Sequence, residues 1–210
     1  MHARLIYVMD PMCSWCWGFA PVIESLAGQA AAAGVPLHLV VGGLRRDRIA
    51  IDASARVRYL GYWQAVNAST GQLFNFEHGL PEGLVYDTEP ACRALVTARQ
   101  LDPDSAWPLA GLIQQAFYTE GADVTQAGVL VGLAERAGLP RIEFAEAFDS
   151  PAMHAATAAD FTWVQDLGIA GFPTLLAERD GQLALLTNGY QPLEALAPLL
   201  GRWLERAAHG

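Results

Sequence analysis

The chain has 210 residues, 52% hydrophobic and 17% charged, which is enough to bury one sizeable core with an elaboration but is short for two independent domains. A formal net charge of −9 argues against nucleic acid and anionic membrane as partners, since both demand clustered Lys and Arg to displace counterions. Three cysteines are too few, and odd in number, for a disulfide scaffold, so any thiol chemistry is local.

In chain order, "MHARLIYVMD" reads as a first strand, Leu5 to Met9. Its apolar run is short, it has one Arg and it shows no small-residue cleavage site, so a secretory signal is not expected. No later stretch approaches the roughly eighteen continuous apolar residues of a membrane span, and the expectation is a cytoplasmic protein. "DPMCSWCWGFAP", Asp10 to Pro21, follows, with a helix predicted from about Cys13 to Ala33 and closed by Gly34. Val35 to Val41 is a second buried strand, and Gly42-Gly43 after it reads as a turn beside the helix. From about Asp52 to Leu167 the apolar spacing is helical, with four or five helices, Gly and Pro punctuation and no strand signal. "PTLLAERDGQLALLTNG" reads as a hairpin around Arg179-Asp180-Gly181, and "PLEALAPLLGRWLERAAHG" as a final amphipathic helix.

The order is βαβ, a helical block, then ββα. This predicts an α/β protein with a thioredoxin fold and a large all-helical insertion between the second and third strands. The expected boundaries are 1–50 and 168–210 for the thioredoxin domain and 51–167 for the helical cap.

Three chemistries compete for Cys13 and Cys16. A helix beginning near Cys13 puts Cys16 one turn on, with Cα atoms about 5–6 Å apart, inside the disulfide window. Unpaired backbone N–H groups and the helix dipole favour a thiolate at the first position, and the second is a turn deeper. Cys13 is then expected to attack and Cys16 to resolve. Structural zinc would need four ligands, and Cys92 with five scattered His offers no such spacing, so no metal is expected. Simple packing of two small apolar thiols is the third reading. The Asp10-Pro11 turn and the helix start argue for exposure instead, which favours the redox pair. Trp15 is read as a substrate contact, Trp17 and Phe19 as core, Cys92 as buried packing, and Asn188-Gly189-Tyr190 as the end of the hairpin.

The cysteine pair, Pro21 five residues after Cys16, and the late "GFPT" resemble the DsbA-like branch of the thioredoxin superfamily. Within it, "DPMCSWCWGF", "YDTEPACRALVTAR" and "QQAFYTEGADVT" look like the FrnE-like proteins, described as predicted dithiol-disulfide isomerases. The similarity runs from about Leu5 to the last helix. It implies a thiol-disulfide oxidoreductase or isomerase whose helical block caps the active site and governs which disulfides are accepted, large clients most of all. Cys13 is by this resemblance the nucleophile, Cys16 the resolving thiol and Pro173 a cis-proline facing them. Ser14, Trp15, Phe172 and Thr174 are the expected substrate contacts. No cofactor is implied beyond the redox-active Cys13–Cys16 disulfide, with glutathione a candidate co-substrate. The implied partners are protein or small-molecule thiols and disulfides, and the implied assembly is a monomer or homodimer.

Two alternatives stay open: a glutathione-dependent isomerase or transferase of the kappa-class type, which usually carries Ser where Cys13 stands, and a non-catalytic DsbA-like adaptor. The sequence also departs from better-known relatives. Ser14-Trp15 replaces the Pro-His pair of the strong periplasmic oxidase. The first strand, "LIYVM", lacks the buried acid found near the resolving cysteine in thioredoxin, which leaves water or Asp10 for proton transfer at Cys16.

Overall fold

Alternation along the first strand sets the layers. The computed structural model describes residues 3–208. β1 (Ala3–Met9) sends Leu5, Tyr7 and Met9 into the main core and Ile6 and Val8 into a smaller cluster on the opposite face, as a strand buried on both sides must. α1 (Ser14–Ala32) covers the first face, and β2 (Leu37–Val41) returns parallel to β1 with Leu5 opposite Leu37. The insertion follows as β3 (Arg46–Ala50), α2 (Ala53–Thr70), β4 (Val85–Asp87), α3 (Glu89–Leu101), α4 (Ala106–Tyr118), α5 (Ala127–Arg136), α6 (Arg141–Phe148) and α7 (Pro151–Asp166). β5 (Thr174–Arg179), β6 (Gln182–Asn188) and α8 (Leu193–Ala208) complete the chain, and the main sheet has the order β2-β1-β5-β6. β5 runs antiparallel to β1. Asp180 (φ 48°) and Gly181 (φ 81°) make the left-handed pair that a two-residue hairpin turn needs.

The insertion differs from the expected all-helical block. It carries a two-stranded antiparallel ribbon, β3 with β4, pairing Arg46 with Asp87. β3 lies before position 51, yet its partner is β4 rather than the main sheet. Its sequence, RDRIA, is polar and mostly exposed, so no buried alternation announces it. Between residues 53 and 166 the chain forms six α-helices, one more than the upper expectation, and Asp149-Ser150-Pro151 splits into α6 and α7 what reads as one run from Glu143 to Gly168.

Side chains lock the insertion to the thioredoxin elements, at α1 and at the edge strand among other places. Pro21 inside α1 has no N–H, which frees the Trp17 carbonyl; Gln72 Nε2 donates to it at 2.9 Å, and Trp17 Nε1 donates to the Leu73 carbonyl at 2.8 Å. The segment after α2 is thereby docked on α1. At the edge strand, Arg99 of α3 forks onto Asp160 of α7 (2.9 and 3.0 Å) and donates to the Leu39 carbonyl, while Asp160 also accepts from the Val41 N–H at 3.1 Å. Hydrogen bonds to charged groups contribute about 1.5–3 kcal/mol each when sheltered. The main core runs without a break from Leu5 and Phe19 to Leu109 and Phe144, so the cap shares its interior with the sheet. Among the described residues no helix is long and apolar enough to cross a membrane.

Candidate active site

Cys13 is the N-cap of α1, with extended backbone (φ −88°, ψ 117°), and its carbonyl accepts from the N–H groups of Cys16 (3.0 Å) and Trp17 (3.2 Å). The turn that delivers it is held by Asp10, whose Oδ1 accepts from the Met12 N–H at 2.8 Å. Asp10 Oδ2 accepts from the Leu44 N–H (2.7 Å), the Thr88 hydroxyl (2.6 Å) and the Cys92 thiol (3.3 Å). These bonds join the redox turn to the loop after β2 and to the start of α3.

The exposure expected of the Asp10-Pro11 turn is not found. Asp10 is 0% exposed, Cys13 6% and Cys16 0%, because β4 and α3 close over the turn. Burial pushes the Asp10 carboxyl above the ordinary carboxylate value, against the pull of its four hydrogen bonds. Burial, reinforced by the neighbouring Cys13, also pushes the Cys16 thiol well up, and burial followed by the Asp10 charge does the same to Cys92. Cys16 and Cys92 therefore hold their protons at neutral pH. All three cysteines are free thiols.

The Gly171–Thr174 loop faces Cys13 from the far side. The Phe172–Pro173 bond is cis, and the Cys13 thiol donates to the Phe172 carbonyl at 3.6 Å. The Phe172 ring lies on Gly42: a Cβ there would come to 2.0 Å from the end of the ring, so glycine leaves room for the ring in this position. The Pro173 carbonyl accepts from the Gly189 N–H at 2.7 Å. Thr174 corrects an expectation. It is 1% exposed, its hydroxyl is shared between the Gly171 carbonyl (2.9 Å) and Asn188 Oδ1 (3.1 Å), and it ties the loop to β6 instead of lining the site.

Over Cys13 opens a cavity of about 390 Å³. Ser14, Trp15 and Phe172 line one side. The opposite side comes from Arg45 in the loop after β2 and from Tyr59, Tyr62, Trp63 and Tyr86 of the insertion. The Arg45 guanidinium rests over the rings of Tyr59 (5.1 Å) and Tyr86 (5.5 Å), and the Tyr86 hydroxyl donates to the Met12 carbonyl at 2.7 Å. Trp15 leans on Tyr190 at 5.7 Å, whereas Trp17 turns away to stack on Tyr118 and Phe19 is fully buried. The aromatic wall was missed from sequence, although Tyr59, Tyr62 and Trp63 fall at one-turn spacing on α2.

A dithiol at a helix start, faced by a cis-proline loop and roofed by an inserted helical block, invites comparison with known proteins. The family model for the DSBA-like thioredoxin domain matches residues 4–201. The chain belongs to that family. It is similar to a protein of Nitrosomonas europaea proposed to be a protein disulfide isomerase, with 41% identity, TM-score 0.91 and 100% of both chains covered. It is also similar to the cytosolic disulfide reductase DsbM from Pseudomonas aeruginosa, with 30% identity, TM-score 0.79 and coverage of 95% of this chain and 98% of that one. The structure of DsbM with GSH matches at 27% identity and TM-score 0.75 over the same shares. A curated relative, the ClpXP adapter protein SpxH of Halalkalibacterium halodurans, is 20% identical over 198 residues, a match that spans 91% of this chain but 64% of that protein. Membership in the DsbA-like family makes thiol-disulfide oxidoreduction the general activity class.

Proposed function

We propose that the protein is a cytoplasmic thiol-disulfide reductase or isomerase in which Cys13 attacks a substrate disulfide and Cys16 resolves the mixed disulfide. The observation that carries this reading is the asymmetry of the pair: Cys13 Sγ borders the cavity and reaches the Phe172 carbonyl, while Cys16 is sealed one turn below it. The thiolate is the nucleophile in such exchange, and of the two sulfurs Cys13 is the one that borders the cavity. The Cys13–Cys16 pair is itself the redox group, with glutathione as co-substrate; the GSH complex of the similar DsbM supports that choice. A cavity of about 390 Å³ is of a size to take a small disulfide such as that of glutathione. Ser14, Trp15 and the Phe172 backbone are the contacts offered to the substrate sulfur.

The test is reduction of glutathione disulfide and of insulin, followed with excess dithiol as electron source. Cys13→Ser should abolish both, and Cys16→Ser should accumulate a mixed disulfide through Cys13, visible as added mass. Absence of turnover by the wild type on either substrate would sink the enzyme reading and leave the adaptor reading favoured by the SpxH match.

A further inference from the structure

The cavity over Cys13 carries a charge that the exchange of sulfurs does not need. Among the described residues that line it there is no Asp, Glu or Lys and one Arg, Arg45, in a chain whose formal net charge is −9. The backbone of that residue is tied to the redox turn. The Leu44 N–H donates to Asp10 Oδ2 at 2.7 Å, the Arg45 N–H donates to the Thr88 hydroxyl at 3.4 Å, and the Arg45 carbonyl accepts from the Thr88 N–H at 2.9 Å. Asp10 in turn holds the Met12 N–H, one residue before Cys13.

The side chain is held as well. Its guanidinium rests over Tyr59 and Tyr86, whose ring centroids are 5.0 Å apart, and the Tyr86 hydroxyl is anchored on the Met12 carbonyl. Asp47 takes one edge of the fork: Nε donates to its Oδ2 at 3.2 Å, and Nη2 lies 3.2 Å from the same oxygen. Asp47 does not line the cavity, and Nη1 has no acceptor among the described residues. The edge formed by Nη1 and Nη2 is thus available to a second carboxylate, which a guanidinium binds through two parallel N–H···O bonds. At 36% and 35% side-chain exposure the Arg45–Asp47 pair is partly screened, which sets a modest size for any charge effect.

We propose that Arg45 binds a carboxylate of the substrate, so that the site selects small thiols and disulfides whose carboxylate lies within a residue or two of the reacting sulfur. The proposal rests on the oxidoreductase reading and names the class of substrate that reading leaves open. Cys13 and Arg45 line one cavity of about 390 Å³, which is about 7 Å across and so matches the reach of about two extended residues. Asp47 is an internal carboxylate on the same guanidinium: it keeps the fork in place and offsets part of its charge.

The experiment uses the full chain and compares kcat/KM for glutathione disulfide with kcat/KM for the same disulfide esterified at its carboxylates, the uncatalysed reaction with the dithiol electron source being subtracted. The readout is the ratio of the two. Arg45→Gln should lower it about two- to fivefold and Arg45→Glu about five- to twentyfold. Asp47→Asn removes the offsetting charge and should raise it about twofold; it leaves every residue lining the cavity in place, so it tests the proposal even where an Arg45 variant folds poorly. Added salt should shrink the wild-type ratio toward that of Arg45→Gln. An Arg45 that only props Tyr59 and Tyr86 would slow both substrates alike and leave the ratio where it was. An unchanged ratio in Arg45→Gln and Arg45→Glu, or a ratio that does not rise in Asp47→Asn, would overturn the proposal. A wild type that reduces neither substrate would instead overturn the oxidoreductase reading, and this inference with it.

Discussion

Cys13 stands between two walls of different make. The wall from the thioredoxin elements touches the sulfur through backbone: the N-terminal turn of α1 beneath it and the Phe172 carbonyl across from it. The wall from the insertion presents side chains, with Tyr59, Tyr62, Trp63 and Tyr86 around the Arg45 guanidinium. Backbone groups stay in place whatever the side-chain identities, so the first wall suits the chemistry common to every disulfide. Side chains can be exchanged without moving the backbone, so the second wall suits the choice among disulfides. Asp10 joins the two by bonding to the redox turn and to α3 at once.

Perturbing the backbone wall should have the largest effect. Gly42→Ala drives a Cβ into the far end of the Phe172 ring, at 2.0 Å in the present geometry, so the ring must move and is expected to displace the loop that carries it. Turnover on glutathione disulfide and on insulin should fall together, by about a hundredfold for a shift near 1 Å, and stability by about 1–3 kcal/mol from overpacking. Wild-type turnover in this variant would show that the loop does not position the reacting sulfur.

The side-chain wall should respond more mildly and unevenly. Tyr62 is 53% exposed, so Tyr62→Ala leaves folding intact while removing an aromatic contact. It should lower kcat/KM for a small aromatic disulfide about two- to tenfold, with little change for insulin. Matching losses on the two substrates would mean that the wall does not select. Arg45→Gln should reduce kcat/KM for the anionic glutathione disulfide about two- to fivefold and weaken its salt dependence, and a neutral disulfide measured in parallel should be spared.

The smallest effect belongs to the joint between the walls. Because burial holds the folded Asp10 carboxyl above its unfolded value, the folded state binds this proton more tightly. Its contribution to stability is full below the ordinary carboxylate range and is lost as pH rises through the raised folded value. Urea midpoints of the wild type relative to Asp10→Asn should therefore decline across that rise and level off beyond it. A difference independent of pH would mean that Asp10 ionises as easily folded as unfolded.

Local rules were enough to read much of this molecule. The apolar runs placed β1, β2 and the β5–β6 hairpin, Gly34 marked the end of α1, and the spacing of Cys13 and Cys16 placed a dithiol at a strand-to-helix turn, because periodicity, stop signals and turn chemistry act over a few neighbouring residues. The β3–β4 ribbon was illegible for the same reason: polar RDRIA becomes a strand only when Val85–Asp87 arrives beside it. The burial of Asp10 depends on Thr88, 78 positions away, and the contact of Cys13 with Phe172 closes a separation of 159. Thr174 lies two positions from the cavity-lining Phe172 in sequence, but its hydroxyl is taken up by the Gly171 carbonyl and Asn188 when the loop docks on β6. Tyr7 reads as one more apolar strand residue, and only the tertiary packing leaves its hydroxyl buried without a hydrogen-bond partner. Sequence separation carries no record of which buried polar atoms meet. That is decided when distant elements close over them and water can no longer serve as their partner.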